Sequence, residues 1–225
     1  MTEFRHHPTI ETLARYAAGH MCEAQSVVIA THAVACPDCR NEIHDFEALG
    51  GAALETIEPV AMSAGAEDRF WATLEADDAQ LKAPIERPKP ADETPPRIEA
   101  AAPLQTYLQG GLDNVAWRPL APGVSQAVLM ANGYRRGALR LLRIQPGTSI
   151  PRHSHEDSEL TLILRGAYDD ELGRYAEGDV ADLDGLAHHS PTAVSDEPCI
   201  CLIATNAPLK FDGLVGKLMQ PFVGL

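Results

Sequence analysis

Long apolar runs are absent from this sequence of 225 residues. No stretch approaches the roughly 20 consecutive apolar residues that a membrane-spanning helix needs. The N-terminus, MTEFRHHPTIE, has neither the basic start nor the apolar segment of a secretory signal. We therefore expect a cytoplasmic protein with no membrane partner.

Basic residues are also scarce. Lys and Arg number 18 against 32 Asp and Glu, which gives a net charge of −14. Residues 1–80 hold four Arg and 14 acidic residues, so phosphates would repel this part and direct binding to nucleic acid is not expected. An acidic surface suits a basic protein partner, such as a protein that itself binds DNA, although solubility alone explains the charge equally well.

Cysteine is sparse, and its number, five, is odd. Two of the cysteines form a C-x-x-C pair close to a histidine. Disulfide frameworks use even sets of cysteines in secreted domains. The pattern therefore favours metal ligation in a reducing compartment.

A proline-rich segment divides the chain. Six prolines fall between residues 82 and 103, and this density disfavours both helix and sheet, so we predict a semi-extended linker. Residues 1–81 show helical patterns, whereas residues 104–225 show short β-runs between Gly and Pro turns. The predicted fold class is α + β with two domains, a helical bundle at 1–81 and a β-sandwich or barrel at 104–225, joined by the linker at 82–103.

Four helices are predicted before the linker. They run from Thr9 to Gly19, from Glu23 to about Ala35, from Pro37 to the Gly50-Gly51 pair, and from Ala64 to Leu81. Four short helices make a thin core, which calls for a further stabilising element. Six strands are predicted after the linker, at 115–120, 124–130, 138–145, 159–164, 179–183 and 199–205.

A histidine and the C-x-x-C pair form the main motif of the helical part, His32-x3-Cys36-x2-Cys39. The spacing lets all three side chains face one point across the turn between two helices. Tetrahedral zinc needs four N or S donors, and three are supplied here. The alternative, that the cysteines are simply buried small residues, leaves the thin core unsupported. The fourth donor is expected from the pair His6-His7, with His20, His44 and Cys22 as weaker candidates.

At this point the chain resembles a known family. The stretch R-H-H near the start, followed by T-H-A-V-A-C-P-D-C-R, is similar to the zinc-binding anti-sigma family over about residues 1–80. The resemblance implies that His7 is the distant zinc ligand, beside His32, Cys36 and Cys39. It also implies a helical bundle that wraps an extracytoplasmic-function (group IV) sigma factor in a 1:1 complex and blocks its access to RNA polymerase.

A second constellation matches the first cupin motif, G-x5-H-x-H-x3-E-x6-G, from Gly147 to Gly166. Residues two apart on a strand point to the same face, so both histidines are expected to face the barrel interior. Of the second motif only Gly178 and one histidine remain, and the spacing from Gly178 selects His189 over its neighbour His188. The predicted donors are His153, His155, Glu159 and His189, a set that zinc, manganese, iron or nickel can occupy. The alternative is a jelly-roll-like cupin barrel that has lost its metal.

The combination of a zinc-binding anti-sigma module, a Pro-rich linker and a cupin resembles the ChrR type of anti-sigma factor. This resemblance extends through E-L-T-L-I-L-R-G-A-Y and C-I-C-L-I-A-T-N-A-P-L-K-F. It implies zinc in both domains and a cupin that senses singlet oxygen or organic hydroperoxide. It implies a regulator and no enzyme; the alternative is a dioxygenase-like cupin metalloenzyme with an N-terminal zinc adaptor domain.

Two further groups of residues keep two interpretations open. Cys199 and Cys201 lie two apart on a predicted strand, so they are either redox-active thiols near the metal or ordinary barrel packing. Phe70, Trp71 and Leu74 on the fourth predicted helix are either core residues or the surface that binds the partner.

Overall fold

A computed structural model of the chain describes residues 4–80, 98–108, 110–131, 137–155, 158–185, 187–205 and 209–211, with backbone alone at 76–80, 155 and 209–211. The chain divides into two compact units. The first consists of Met1–Ala48 together with Pro96–Leu225, and the second is Leu49–Pro95. The predicted boundaries at residues 81 and 103 concern fragments that fold alone, and they stay a prediction.

Four helices precede the linker, as predicted. They are α1 (Ile10–Ala17), α2 (Glu23–Ala35), α3 (Pro37–Glu55) and α4 (Ala66–Gln80). The Thr9 side chain caps α1 by accepting a hydrogen bond from the Thr12 N–H at 3.3 Å. Among the described residues, no helix is long and apolar enough to cross a membrane.

The predicted end of α3 at Gly50-Gly51 is wrong. The helix continues through both glycines to Glu55. A glycine ends a helix by adopting a positive φ, as Gly19 does after α1 at 68°, whereas Gly50 and Gly51 are absent from the positive-φ glycines. In the helix interior each glycine costs about 1 kcal/mol relative to Ala, which weakens the helix without stopping it.

The C-terminal end of the predicted linker is folded instead of extended. Residues Ile98–Ala100 form a 3-10 turn, and Ala102–Gln105 form the short helix α5. Pro103 lies in the first turn of α5, where its missing N–H has no hydrogen bond to make. Ile98 and Leu104 are buried in the core. Residues 81–97 of the predicted linker lie outside the described residues.

The C-terminal part is an antiparallel β-structure of eleven described strands. Six of them form one sheet in the order β1-β2-β3-β10-β5-β8, and β7-β6-β9 form a second sheet. A third, two-stranded sheet pairs β11 with β4. The strands are Arg118–Ala121, Val124–Met130, Ala138–Ile144, His153–His155, Glu159–Arg165, Ala167–Asp170, Gly173–Ala176, Val180–Leu183, Thr192–Ala193, Cys199–Thr205 and Leu209–Phe211. The six predicted strands are present. The cupin motif also placed the two histidines of β4 on a strand, whereas the sequence missed β6, β7, β9 and β11.

The six-stranded sheet has a core on each face. Its outer face packs against α2, so helix residues such as Val28 and Ile29 share one cluster with sheet residues such as Leu162 and Leu202. Its inner face lines the barrel interior with side chains such as Ile163. Because β5 is buried on both faces, its residues Leu162–Leu164 are continuously apolar instead of alternating. The first unit is thus a cupin-like barrel with helices on one side.

Candidate functional site

Four donor side chains converge at the start of α3. Their ligand atoms, one each from His7, His32, Cys36 and Cys39, all lie within 4.8 Å of one another. The Nδ1 atom of His7 is 3.4 Å from the Cys36 Sγ and 3.3 Å from the Cys39 Sγ. The Nε2 atom of His32 is 3.3 Å from the Cys39 Sγ. Donors bonded tetrahedrally to zinc at 2.0–2.3 Å stand about 3.3–3.8 Å apart, so the spacing fits that ion.

The local fold brings three of these donors together. His32 lies in the last turn of α2, Cys36 caps its C-terminus, and Cys39 lies in the first turn of α3. Pro37 begins α3 directly after the cap. The turn is held by the Cys36 N–H, which donates to the His32 carbonyl at 3.0 Å. His7 joins from the segment before α1.

The second nitrogen of each histidine in the cluster is bound to a backbone carbonyl. His32 Nδ1 is 2.9 Å from the Gly178 oxygen, and His7 Nε2 is 3.2 Å from the Phe4 oxygen. A nitrogen that faces a carbonyl carries the proton, so the other nitrogen turns its lone pair to the cluster. The two hydrogen bonds therefore assign Nε2 of His32 and Nδ1 of His7 as the metal-binding atoms.

Burial decides the charge of the cluster. Burial lowers the pKa of His32 to about 4, so its imidazole is neutral and available as a ligand at pH 7. Burial, followed by the charge of Cys36, raises the pKa of Cys39 to about 12. Two adjacent thiolates are therefore unfavourable unless a cation compensates them. The donor set is suited to a divalent metal ion.

The cupin motif lines a second site inside the barrel. His153, Glu159 and His189 are buried, and the two imidazole rings lie 4.5 Å apart between centroids. Together with Thr161 they line a cavity of about 40 Å³. His155 lies on β4, but its side chain is outside the described residues. The neighbouring His188 is exposed, so the spacing that selected His189 chose the inward histidine.

Hydrogen bonds fix the orientation of these donors. His153 Nδ1 is 2.9 Å from the Pro151 carbonyl oxygen. His189 Nδ1 is 2.9 Å from the Asp170 carboxylate, and both side chains are buried. The Thr161 hydroxyl donates to Glu159 at 3.0 Å. Burial raises the pKa of Glu159, while the imidazoles of His153 and His189 lower it; a cation at this position would favour the carboxylate in the same way.

Asp170 is a functional residue that the sequence analysis missed. It belongs to neither cupin motif, and it reaches His189 across 19 residues. Its Oδ1 also accepts from the backbone N–H groups of Leu172 and Gly173 at 2.8 and 3.1 Å. An acidic residue one position before a tight turn is a weak signal, since most such residues only stabilise the turn.

The predicted pair Cys199 and Cys201 faces the barrel interior. Both side chains are buried, with their sulfurs 3.6 Å apart, and Cys201 lines the same cavity as His153 and Glu159. The hydrogen bond between Cys201 and Cys199, followed by burial, raises the pKa of the Cys201 thiol. The cavity therefore has the Cys201 thiol in its wall, with the Cys199 sulfur next to it.

The aromatic stripe of α4 is exposed. Phe70, Trp71 and Leu74 expose 57, 54 and 44 % of their surface, and the two rings lie 5.3 Å apart. They contribute to neither buried cluster of the described residues.

The weaker candidates for the fourth ligand lie elsewhere. The Cys22 sulfur caps α2 by accepting from the Gln25 N–H, and the His44 ring faces Glu47 on the exposed side of α3. His20 is exposed after α1.

A cupin barrel with an inward histidine and carboxylate set, preceded by helices that build a His/Cys site, defines the class of protein. The ChrR cupin-like domain family matches residues 109–208. The anti-sigma-E factor ChrR of Cereibacter sphaeroides is 43 % identical over 218 residues, which are 97 % of this chain and 97 % of that protein. The crystal structure of Rhodobacter sphaeroides SigE in complex with the anti-sigma ChrR matches with a TM-score of 0.73 and 38 % identity, covering 90 % of this chain and 99 % of that chain. This chain therefore belongs to the ChrR family of anti-sigma factors.

Proposed function

We propose that this chain is an anti-sigma factor that binds an extracytoplasmic-function (group IV) sigma factor in a 1:1 complex and keeps it from RNA polymerase. The observation that carries the proposal is the 43 % identity to an anti-sigma-E factor over 97 % of both chains. A relative in this family has been solved bound to SigE. Because a sigma factor acts on RNA polymerase in the cytoplasm, we assign the chain to the same compartment.

The second compact unit provides a surface suited to this partner. Of the thirteen large apolar side chains that are exposed among the described residues, eight lie between residues 49 and 74. Exposed apolar side chains concentrated in one short segment are typical of an interaction site. The members are Leu49, Leu54, Ile57, Val60, Met62, Phe70, Trp71 and Leu74. We assign Phe70, Trp71 and Leu74 as contacts to the sigma factor, because aromatic side chains dominate binding energies.

The charge of this unit complements a basic partner. Residues 49–80 contain one basic residue, Arg69, and seven acidic ones. The negative charge of this unit would repel nucleic acid. A sigma factor, in contrast, has basic surfaces that bind promoter DNA. An acidic, apolar surface is therefore suited to bind the DNA-reading protein in place of DNA.

The His/Cys cluster is assigned to zinc, held by His7, His32, Cys36 and Cys39. Two thiols and two imidazoles are a donor set that zinc prefers, and four protein ligands leave no open position. Bound zinc would supply cross-linking without redox chemistry. The four ligand residues would then join the N-terminal segment, α2 and α3 at one point, which stabilises the short helices.

The cupin donors His153, His155, Glu159 and His189 are assigned to a second divalent ion, with zinc as the first choice. The Pro151 carbonyl and the Asp170 carboxylate hold the described imidazoles in one tautomer. A cavity of about 40 Å³ has room for an ion and a few water-sized groups. Organic substrates need pockets of roughly 300 Å³ or more. This size favours a sensor of small reactive molecules over a metalloenzyme with an organic substrate.

Sensing of oxidant is assigned to the same cavity. In its thiolate form, which a divalent cation bound in the cavity would favour, Cys201 attacks an organic hydroperoxide, takes up one oxygen to form a sulfenate and releases the alcohol. The Cys199 sulfur, 3.6 Å away, is the adjacent thiol. Singlet oxygen or hydroperoxide is thus expected to alter the cavity wall and release the sigma factor.

Affinity purification of the tagged full chain from its source cell tests this function. We expect a group IV sigma factor to co-purify in equal amount, with two equivalents of metal per chain by elemental analysis. Addition of oxidant before purification should lower the amount of sigma factor. A chain that purifies without any sigma factor from unstressed cells contradicts the proposal.

A further inference from the structure

The segment Phe4–Thr9, here called the strap, runs from the His/Cys cluster across the edge of the cupin. The His6 carbonyl accepts from the Val180 N–H at 3.0 Å, and the His6 ring contacts Tyr175 at 4.3 Å between centroids. The Thr9 N–H and hydroxyl both donate to the Asp182 carboxylate at 2.9 Å. His7, the exposed ligand of the cluster, lies between these two anchors.

Asp179 is the most buried polar anchor of the strap, with 2 % of its surface exposed. Its Oδ1 accepts from the backbone N–H groups of Arg5 and His6 at 2.7 and 3.1 Å. Its Oδ2 accepts from the Ala176 N–H at 2.9 Å. A buried carboxylate that accepts three backbone hydrogen bonds holds the strap on one side and the cupin backbone at Ala176 on the other. The two strap residues that it holds immediately precede His7.

Gly178, next to Asp179, contacts the other histidine ligand. Its carbonyl accepts from His32 Nδ1 at 2.9 Å. Its φ of 92° favours glycine, and a Cβ at this position would overlap the Phe4 ring. The Phe4 ring in turn lies 5.5 Å from the His32 ring. Of two consecutive cupin residues, one therefore contacts the His32 imidazole and the other holds the backbone next to His7.

We propose that Asp179 is a positioning residue of the His/Cys metal centre, which acts through His7. By holding the Arg5 and His6 backbone against the cupin, the carboxylate places the His7 imidazole 3.3–3.4 Å from Cys36 and Cys39. Without this anchor the strap would have to lose its conformational freedom when metal binds, which weakens binding. Metal affinity of the helical part thus depends on a cupin residue. The inference depends on the zinc assignment made above and identifies a determinant of affinity outside the ligand set.

The test uses the full chain with Asp179→Asn. An asparagine keeps the volume but removes the charge, so the hydrogen bonds from Arg5 and His6 weaken even where the amide oxygen accepts them, and the NH2 group cannot accept from the remaining backbone donor. We expect zinc affinity at the His/Cys site to fall about tenfold, as for other residues that orient metal ligands. Affinity is measured by competition with a chromophoric chelator. The sulfur-to-cobalt absorption of the Co²⁺-loaded chain, absent from Cys36→Ser/Cys39→Ser, reports this site alone.

Two control variants define the specificity of the effect. Asp182→Asn disturbs the strap beyond His7, at Thr9, and should lower affinity less than Asp179→Asn. Asp113→Asn removes an exposed carboxylate that pairs with Arg165 and should leave affinity unchanged. An equal loss in all three variants would overturn the proposal, because it would indicate general destabilisation.

A double-mutant cycle with His7→Ala separates positioning from a purely structural role. If Asp179 acts through His7, Asp179→Asn should change zinc affinity less than twofold once His7 is absent. The same tenfold loss in both backgrounds, or no loss in the wild-type background, would overturn the inference. If the unmodified chain gives no sulfur-to-cobalt absorption, the zinc assignment itself fails, which is a different result from an unaltered Asp179→Asn variant.

Discussion

The two candidate metal centres of this chain differ in how completely the protein encloses them. The His/Cys cluster has four protein donors within 4.8 Å of one another, which is the full number that tetrahedral zinc needs. The cupin centre places two imidazoles and a carboxylate in the wall of a cavity of about 40 Å³. A closed set of donors is typical of a structural site, and a site with adjacent space can admit a small reactant. The comparison therefore assigns a structural role to the His/Cys cluster and a sensing role to the cupin centre.

The largest expected effect separates the two centres by metal content. Cys36→Ser/Cys39→Ser should reduce bound metal from two equivalents to one and abolish binding of the sigma factor. Structural zinc contributes about 10–16 kcal/mol to the folding of small zinc domains, so its loss should unfold the helices that depend on it. Elemental analysis and a pull-down with the sigma factor measure the two effects. Retention of two equivalents would contradict the assignment of the first centre.

A smaller effect concerns the partner surface. Trp71→Ala should weaken binding of the sigma factor by about 2 kcal/mol or more, as expected for an aromatic hot spot. Because Trp71 is half exposed, the same substitution should change the free energy of unfolding by less than about 0.5 kcal/mol. Leu172→Ala, which truncates a comparably exposed residue on a cupin turn, is the matched control. Titration calorimetry with the sigma factor should show a loss of affinity for Trp71→Ala only. Equal affinities of the two variants would place the interface elsewhere.

The smallest effect tests the orientation of the cupin ligands. Asp170→Asn removes the carboxylate that accepts from His189 Nδ1 at 2.9 Å. The metal affinity of the cupin should fall about 10–100-fold, as for other changes behind a ligating histidine. The sulfur-to-cobalt absorption of the His/Cys cluster should stay unchanged. Loss of both signals would indicate that Asp170 supports the fold as a whole.

The sequence predicted local features better than long-range ones. The bounds of α2, Glu23–Ala35, were predicted correctly because apolar residues cluster near the middle of the segment, at Val27–Ile29, and Pro37 begins the next helix. The strands β2 and β10 were likewise predicted residue for residue. The short strands β6 and β7 were missed, since four residues such as Ala167–Asp170 carry too little periodicity to be recognised.

The candidate sites show the same limit. Both predicted ligand sets rest on fixed spacings within short motifs, except for His7, which rests on the family resemblance. The structure brings together all four donors of the first set. Asp170 and Asp179 were missed because their partners are distant in sequence, up to 174 residues away. The contact of α2 with the cupin sheet was missed as well, although the three consecutive apolar residues Val27–Ile29 spread around the helix, which is typical of a buried position. The ligands of the cupin site and the partner surface stay predictions.

The most direct test of the division between support and sensing is a sigma-dependent reporter in cells that carry His189→Ala. His188→Ala, which changes the exposed neighbour, is the matched control. Without oxidant, both variants should repress the reporter as the unmodified chain does, because the His/Cys cluster and the partner surface are intact. With singlet oxygen or organic hydroperoxide, His188→Ala should be induced normally and His189→Ala should stay repressed, since a signal releases a partner only by acting differently on the bound and free states. Normal induction of His189→Ala would contradict the sensory role of the cupin centre.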